Sequence, residues 1–234
     1  MEKFNFYQIT DLHYYANEVI GSYGKYFALR CETDQKCVAE SGAIIDAAFK
    51  EIADDKDNEI VIISGDVTYD GEKVSHDLLV EKLKKLKEAG KRVFLTFATH
   101  DFDNNARGYT EIGEFKLEEY PRDELRNVYA EFGWNEAVSE HVPSYSYAVK
   151  MVPGWRFLLL NDDGNGKGFC GYDETLIEWI KNQVKEANAD GEKVIAVTHH
   201  PMLPPGVIYP LFSHRDMLGD YETVAPMFAD LGIQ

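Results

Sequence analysis

The chain has 234 residues, with 41 acidic against 24 basic side chains and a formal charge of −17. That imbalance opposes counterion-release binding to a nucleic-acid backbone and to anionic membrane surfaces, although a cleft filled with cations still admits phosphorylated ligands. The length allows a substantial core in one α/β unit, so a single domain over 1–234 is expected.

In chain order, "FNFYQI" (4–9) reads as a buried strand, rich in aromatic and β-branched residues, and runs into "TDLHYY". A helix is predicted over about 36–53. The apolar run "EIVIIS" (59–64) predicts a second strand, leading into "GDVTYDG". In the next helix, about 74–89, Leu79, Leu83 and Leu86 share one face and Gly90 supplies the C-terminal stop. "RVFLTFA" (92–98) predicts a strand ahead of "THDFDNN", a helix follows over about 114–132, and "SYSYAVK" (144–150) and "WRFLLLN" (155–161) read as further strands. Asp173 is the expected N-cap of a helix over about 173–188 with the apolar stripe Leu176, Ile177, Ile180 and Val184. "KVIAVT" (193–198) is a strand that ends on "HHPMLPP". Such alternation predicts an α/β fold whose sheets are covered by helices.

Four of these strands end on Asp or His. In α/β sheets, loops converge beyond the carboxyl ends of strands, and ligands collect there. Asp11, His13, Asp66 and His199 offer carboxylate oxygen and imidazole nitrogen, a mixture suited to manganese, iron or zinc rather than calcium. Asp66, on a central strand, is placed to bridge two ions about 3.5–4 Å apart, and Gly65 before it lets the backbone approach closely. Taken singly, each stretch also reads as an ordinary turn, since Asp and Gly favour turns for local reasons.

In combination the stretches are specific. "DLH" (11–13), "GDVT" (65–68), "THD" (99–101) and "THHP" (198–201), in that order and each after a strand, resemble the calcineurin-like metallophosphoesterase superfamily. So do "GDVTYDGEKVSHDLL" and "GYDETLIEWIKNQVKEANADGEKVIAVTHHP". The resemblance implies a four-layer α/β sandwich, two stacked mixed β-sheets flanked by α-helices. It implies hydrolysis of a phosphate monoester or diester with two divalent metal ions (Mn, Fe or Zn), the partner being a small phosphorylated substrate. Asp11 and His13 would hold one ion, Asp66 would bridge both and His199 would ligate the second. His100 would lie beside the substrate and protonate or stabilise the leaving oxygen, with Asp101 orienting its ring, while metal-bound hydroxide attacks phosphorus in line.

Two positions depart from the family pattern. Where the family has Gly-Asn-His-Asp or Glu, this chain has Ala98-Thr99-His100-Asp101. Thr99 brings a short neutral hydroxyl to the second ion in place of an amide oxygen, and weaker binding of that ion is expected. The family's final Gly-His-x-His block is absent, and the sequence stops at "YETVAPMFADLGIQ" (221–234), a helix followed by the first residues of another strand. A domain truncated at its C-terminal end is therefore expected. Both departures also fit an alternative, a degenerate, non-catalytic metal-binding scaffold with the same fold. A nuclease of the same superfamily is opposed by the charge balance.

Other residues have plainer readings. His76, at a helix start, is expected to be structural. His200, beside a proposed ligand, is expected to contact substrate or support the site, and Arg215, with His214 in the long loop after His199, is a phosphate-clamp candidate. Tyr14, Tyr15, Tyr23, Tyr26 and Phe27 either wall a substrate cleft or pack as core or lid. "DDGNGKGFCGYD" (162–173) lacks Walker or Rossmann spacing and reads as a mobile loop entering a helix, and "DDKDNE" (54–59) reads as a solvated connection rather than a calcium loop. Cys31, Cys37 and Cys170 match neither a disulfide framework nor a paired metal motif, and there is no signal-like or membrane-length apolar run. A cytoplasmic chain is expected, or a secreted one whose signal peptide has been removed.

Overall fold

The computed structural model describes residues 4–163, 170–212 and 216–234, which pack as two units divided between Phe132 and Gly133. In the first unit β1 (Tyr7–Ile9) leads through two short helices, α1 (Asn17–Ile20) and α2 (Gly24–Thr33), to α3 (Ser41–Asp54). Then come β2 (Ile60–Ser64), α4 (Lys73–Glu88) and β3 (Arg92–Thr96). The three strands pair in parallel in the order β1-β2-β3, with Ile9 opposite Ile63 and Ile63 opposite Leu95. A central parallel strand is covered on both faces, so it reads as a continuous apolar run. All five residues of β2 are buried. The covering helices bury one face each: Ile45, Phe49 and Ile52 from α3, and from α4 the predicted Leu79, Leu83 and Leu86 together with Val80.

The predicted 114–132 helix is a strand followed by a shorter helix. β4 (Arg107–Tyr109) and β5 (Glu114–Lys116) form an antiparallel hairpin, and α5 runs only over Arg122–Val128. Pro121 sits at the N-cap of α5, where its extended backbone (ψ 140°) ends any helix arriving from the N-terminal side. Gly108 faces Phe115 across the hairpin, and a Cβ there would stand 2.1 Å from the ring, so the aromatic fills the space that glycine leaves.

In the second unit β6 (Ser139–His141), β7 (Ser146–Val149) and β8 (Trp155–Leu159) pair antiparallel, and α6 (Glu174–Ala189) leads to β9 (Lys193–Val197), which adds in parallel to β8. Asp173 caps α6 as expected, its side chain accepting the Leu176 N–H at 2.8 Å. Leu176, Ile180 and Val184 pack on Ala148, Leu158 and Val194 of the sheet. After α7 (Tyr209–Phe212), α8 (Tyr221–Leu231) places Val224 and Phe228 in the same core. Beyond it, Gln234 donates to Val194 O at 3.0 Å and accepts from Ala196 N at 2.9 Å, so the predicted strand start after α8 pairs with β9. Residues 164–169 of the glycine-rich loop lie outside the described residues.

A buried acid at the head of α4 sets a pH dependence. Glu72 is fully buried; one oxygen accepts the Asp70 N–H at 3.0 Å and the other has no hydrogen-bond partner among the described residues. Burial raises this carboxyl from 4.5 to about 8. The folded chain then holds the proton more tightly than the unfolded chain, so the stabilisation is full below about pH 4.5 and is lost as pH climbs towards 8. Glu72→Gln stays neutral at every pH. Urea denaturation should find it within ~1 kcal/mol of the parent at pH 5 and more stable by roughly 2–4 kcal/mol at pH 9. The same difference at both pH values would show that charge is not the cause.

Candidate metal centre

The pairing of β1 with β2 continues past the ends of both strands. Asp11 N–H donates to Gly65 O (3.2 Å), His13 N–H to Asp66 O (3.0 Å) and Tyr14 N–H to Val67 O (3.1 Å). The two loops are thereby laced side by side. Asp11 (φ 55°), His13 (φ 41°), Gly65 (φ 93°) and Asp66 (φ 51°) all take left-handed backbone. That conformation costs a non-glycine residue on the order of 1–2 kcal/mol and persists where the surroundings enforce it, often at functional sites. Here the interloop hydrogen bonds enforce it, and Asp and His enter the region more readily than most residues.

The outcome is a convergence of donors. One ligand atom from each of Asp11, His13 and Asp66 lies within 4.8 Å of the others. His13 Nε2 stands 3.4 Å from Asp11 Oδ1 and 3.7 Å from Asp66 Oδ2. His13 and Asp66 are buried while the Asp11 side chain is 50 % exposed, so the cluster opens to solvent on the Asp11 side. Among the described residues the buried Nδ1 of His13 has no hydrogen-bond partner, and its Nε2 faces these two carboxylates at salt-bridge distance. Oxygen and nitrogen donors about 2.0–2.2 Å from one ion stand roughly 3–4 Å apart, which this spacing meets. The donor set fits a divalent transition metal.

His100 borders the cluster, its ring edge-to-face with His13 at 5.0 Å. Its backbone N–H donates to Asp66 Oδ1 at 2.9 Å. Asp101 was expected to orient the His100 ring; instead its buried carboxylate staples the loops together. Oδ1 accepts from Val67 N (2.7 Å) and Thr68 N (3.1 Å), and Oδ2 accepts from Ala98 N (2.8 Å). Burial and the neighbouring Asp66 push the Asp101 carboxyl up, against the pull of these three amides. The ring of His100 is held by Asp70, whose Oδ1 is 3.0 Å from Nδ1, and by Tyr69 O at 2.8 Å. Burial opposes protonation of His100, but the Asp70 and Asp66 carboxylates outweigh it and raise its pKa. Asp70 is the second acid of "GDVTYDG", four residues after Asp66, and that repeat of acids was its only signal in the sequence.

Lys36 carried no signal at all. It follows α2, and its Nζ lies 2.9 Å from His100 Nε2 and 3.1 Å from Nδ1. Burial lowers the Lys36 pKa, against the opposing effect of Asp70, Asp34 and Asp66.

Thr99 lies half-buried in the turn after β3, with its carbonyl accepting from Asn104 Nδ2. His76 is structural as expected, but it bonds Tyr129 OH (2.8 Å) and Asp101 O (2.9 Å) rather than free helix amides. Tyr14 and Tyr15 are core: both are buried, and the Tyr15 hydroxyl meets Ser22 Oγ at 2.6 Å and Arg107 O at 3.1 Å. Tyr23 and Tyr26 are exposed.

His199 and His200 belong to the second unit, just beyond β9. Of the two roles expected for His200, contact with substrate or support of the site, the geometry is that of a supporting residue. The residue is buried, with Nδ1 on Asp162 Oδ1 at 2.9 Å and Nε2 on Cys170 Sγ at 3.3 Å. Burial opposes its charge, yet Asp162 and Cys170 raise its pKa to about 10. Asp162 also accepts the backbone N–H groups of His199 (3.1 Å) and His200 (2.7 Å), so it shapes the turn that carries His199. His214 and Arg215 lie outside the described residues.

Residues 4–234 match the family model of the calcineurin-like phosphoesterases. Among solved structures, a dimetal phosphatase from Danio rerio matches with a TM-score of 0.67 at 14 % sequence identity, covering 97 % of this chain and 77 % of that one. At that identity the likeness shows the fold, a metallophosphoesterase α/β architecture. No curated protein matches the chain. Among the described residues no helix is long and apolar enough to cross a membrane. With the motifs spaced along nearly its whole length and the metal-type cluster behind the first two strands, the chain belongs to the calcineurin-like phosphoesterase family.

Proposed function

We propose that the chain hydrolyses a small phosphate ester with two divalent metal ions, Asp11, His13 and Asp66 serving as ligands and His100 acting on the leaving oxygen. The observation that carries this reading is the meeting of three donor side chains on enforced left-handed backbone, with His100 bordering them. Asp66 is the proposed bridge, while His199 and Thr99 are assigned to the second ion by motif alone. Divalent ions, when bound, supply Lewis acidity for water and for the phosphoryl oxygens.

The rest is done by the chain's own groups. Nδ1–H of His100 donates to Tyr69 O and Asp70, which fixes the tautomer and leaves Nε2 to carry the transferable proton. A protonated Nε2 then donates to the leaving oxygen as its bond to phosphorus breaks. Asp70 stabilises the imidazolium, and Asp66 Oδ1 holds the His100 backbone in register.

The test is turnover of p-nitrophenyl phosphate and bis(p-nitrophenyl) phosphate with added manganese, before and after a chelator. Hydrolysis that disappears with chelator and returns with manganese is expected. No hydrolysis of either ester at millimolar manganese would favour the non-catalytic scaffold, to which Thr99 points. Chelator-resistant hydrolysis would overturn the metal assignment.

A further inference from the structure

Two nitrogen groups converge on one point at the edge of the cluster. His100 commits Nδ1 to Tyr69 O and Asp70, so Nε2 is the ring atom left to meet a ligand, and Lys36 Nζ stands 2.9 Å from it. Any anionic oxygen within reach of Nε2 is therefore within reach of the ammonium. Lys36 is also held in place. Its backbone N–H donates to Asp34 Oδ1 at 3.0 Å, and Asp34 accepts the Tyr69 hydroxyl at 2.6 Å and pairs with Arg30 at 3.3 Å. The Tyr69 ring carries both cations, Arg30 at 5.1 Å and Lys36 at 5.3 Å from its centroid. Arg30 is already committed to Asp34 and Tyr69. Lys36 is bound to His100 alone through its ammonium among the hydrogen bonds described, and that partner is the group expected to turn towards a substrate.

A phosphate monoester has three non-bridging oxygens and carries two negative charges near neutral pH, whereas a diester has two such oxygens and one charge. If two oxygens face metal ions, the third exists as an anion only in a monoester. We propose that Lys36 is a specificity-determining residue that takes this third oxygen and makes the site selective for phosphate monoesters, an inference that rests on the hydrolase reading above. The anion displaces the ammonium from the ring, and both nitrogens then donate to oxygens of one phosphoryl group.

Inert phosphonates separate binding from catalysis. Calorimetric titration of the full chain in 1 mM manganese at about pH 8 would compare phenylphosphonate, a dianion, with its monomethyl ester, a monoanion. Lys36→Gln should weaken the dianion about 10–30-fold and the monoanion less than about threefold, and Lys36→Arg should stay within about threefold of the parent for both. Equal weakening of both ligands, or of neither, overturns the proposal. Failure of the broader reading looks different: the unsubstituted protein would then bind phenylphosphonate no better with manganese than without. In steady-state assays the same variant should cut kcat/KM for p-nitrophenyl phosphate by a similar factor while sparing methyl p-nitrophenyl phosphate.

Discussion

Asp66→Asn is expected to reduce kcat/KM for any ester the protein turns over by at least about 10³-fold, and to raise the manganese concentration needed for half-activity by more than the roughly 10–100-fold typical when a residue that only orients a metal ligand is lost. The substitution is selective in what it removes. Asparagine enters left-handed backbone as readily as aspartate, so φ 51° remains accessible. Its amide oxygen can still accept the His100 N–H that Asp66 Oδ1 accepts at 2.9 Å. What disappears is the negative charge and the second anionic oxygen, the features a bridging ligand needs. Without metal, Asp11 and Asp66 crowd two carboxylates around His13, and neutralising one relieves their repulsion. Thermal unfolding of the metal-free variant should therefore match or exceed the parent, while the manganese-induced rise in Tm expected of the parent should vanish. A full manganese-induced rise in the variant would remove Asp66 from the ligand set.

His100→Ala is expected to separate substrates by leaving group. For alkyl phosphates, whose alkoxide needs a proton as it departs, kcat should fall about 10²–10⁴-fold. For p-nitrophenyl phosphate, whose phenolate leaves without one, the loss should stay near tenfold. The backbone N–H that reaches Asp66 survives in alanine, so the metal cluster should keep its occupancy. Rates measured against leaving-group pKa should show a steeper dependence in the variant than in the parent. Equal losses across the series would assign His100 to phosphoryl binding rather than proton transfer.

The proposed ligands were legible in the sequence because they lie directly at strand ends, where chain order fixes position. Asp11, His13 and Asp66 needed only the right strands, and the continuous apolar run of β2 identified the central one. What surrounds them depends on side-chain direction and on packing between distant segments. The family resemblance implies that Asp101 orients the His100 ring, yet successive residues in this turn point apart. Asp101 turns inward to the Val67 and Thr68 amides and leaves the ring to Asp70. Arg30 reaches the site from α2, a helix with no buried residue and hence no strong periodic signature, and Lys36 from the turn after it. The tyrosines after "DLH" were ambiguous because an aromatic cluster suits a cleft or a core equally; the shared packing of Tyr15 with Tyr69, Tyr109 and Val38 decides for core at Tyr15, while Tyr23 and Tyr26 are exposed. The 114–132 segment misled through helical apolar spacing that Pro121 interrupts.

Anomalous scattering from crystals soaked in zinc or manganese, recorded on both sides of each absorption edge, addresses the centre itself. The proposed centre predicts a peak about 2.0–2.2 Å from an oxygen of Asp11, an oxygen of Asp66 and a nitrogen of His13 in the zinc-soaked crystal. No peak among these three residues at saturating metal, with the loops after β1 and β2 ordered, would contradict the assignment of a metal centre to this chain.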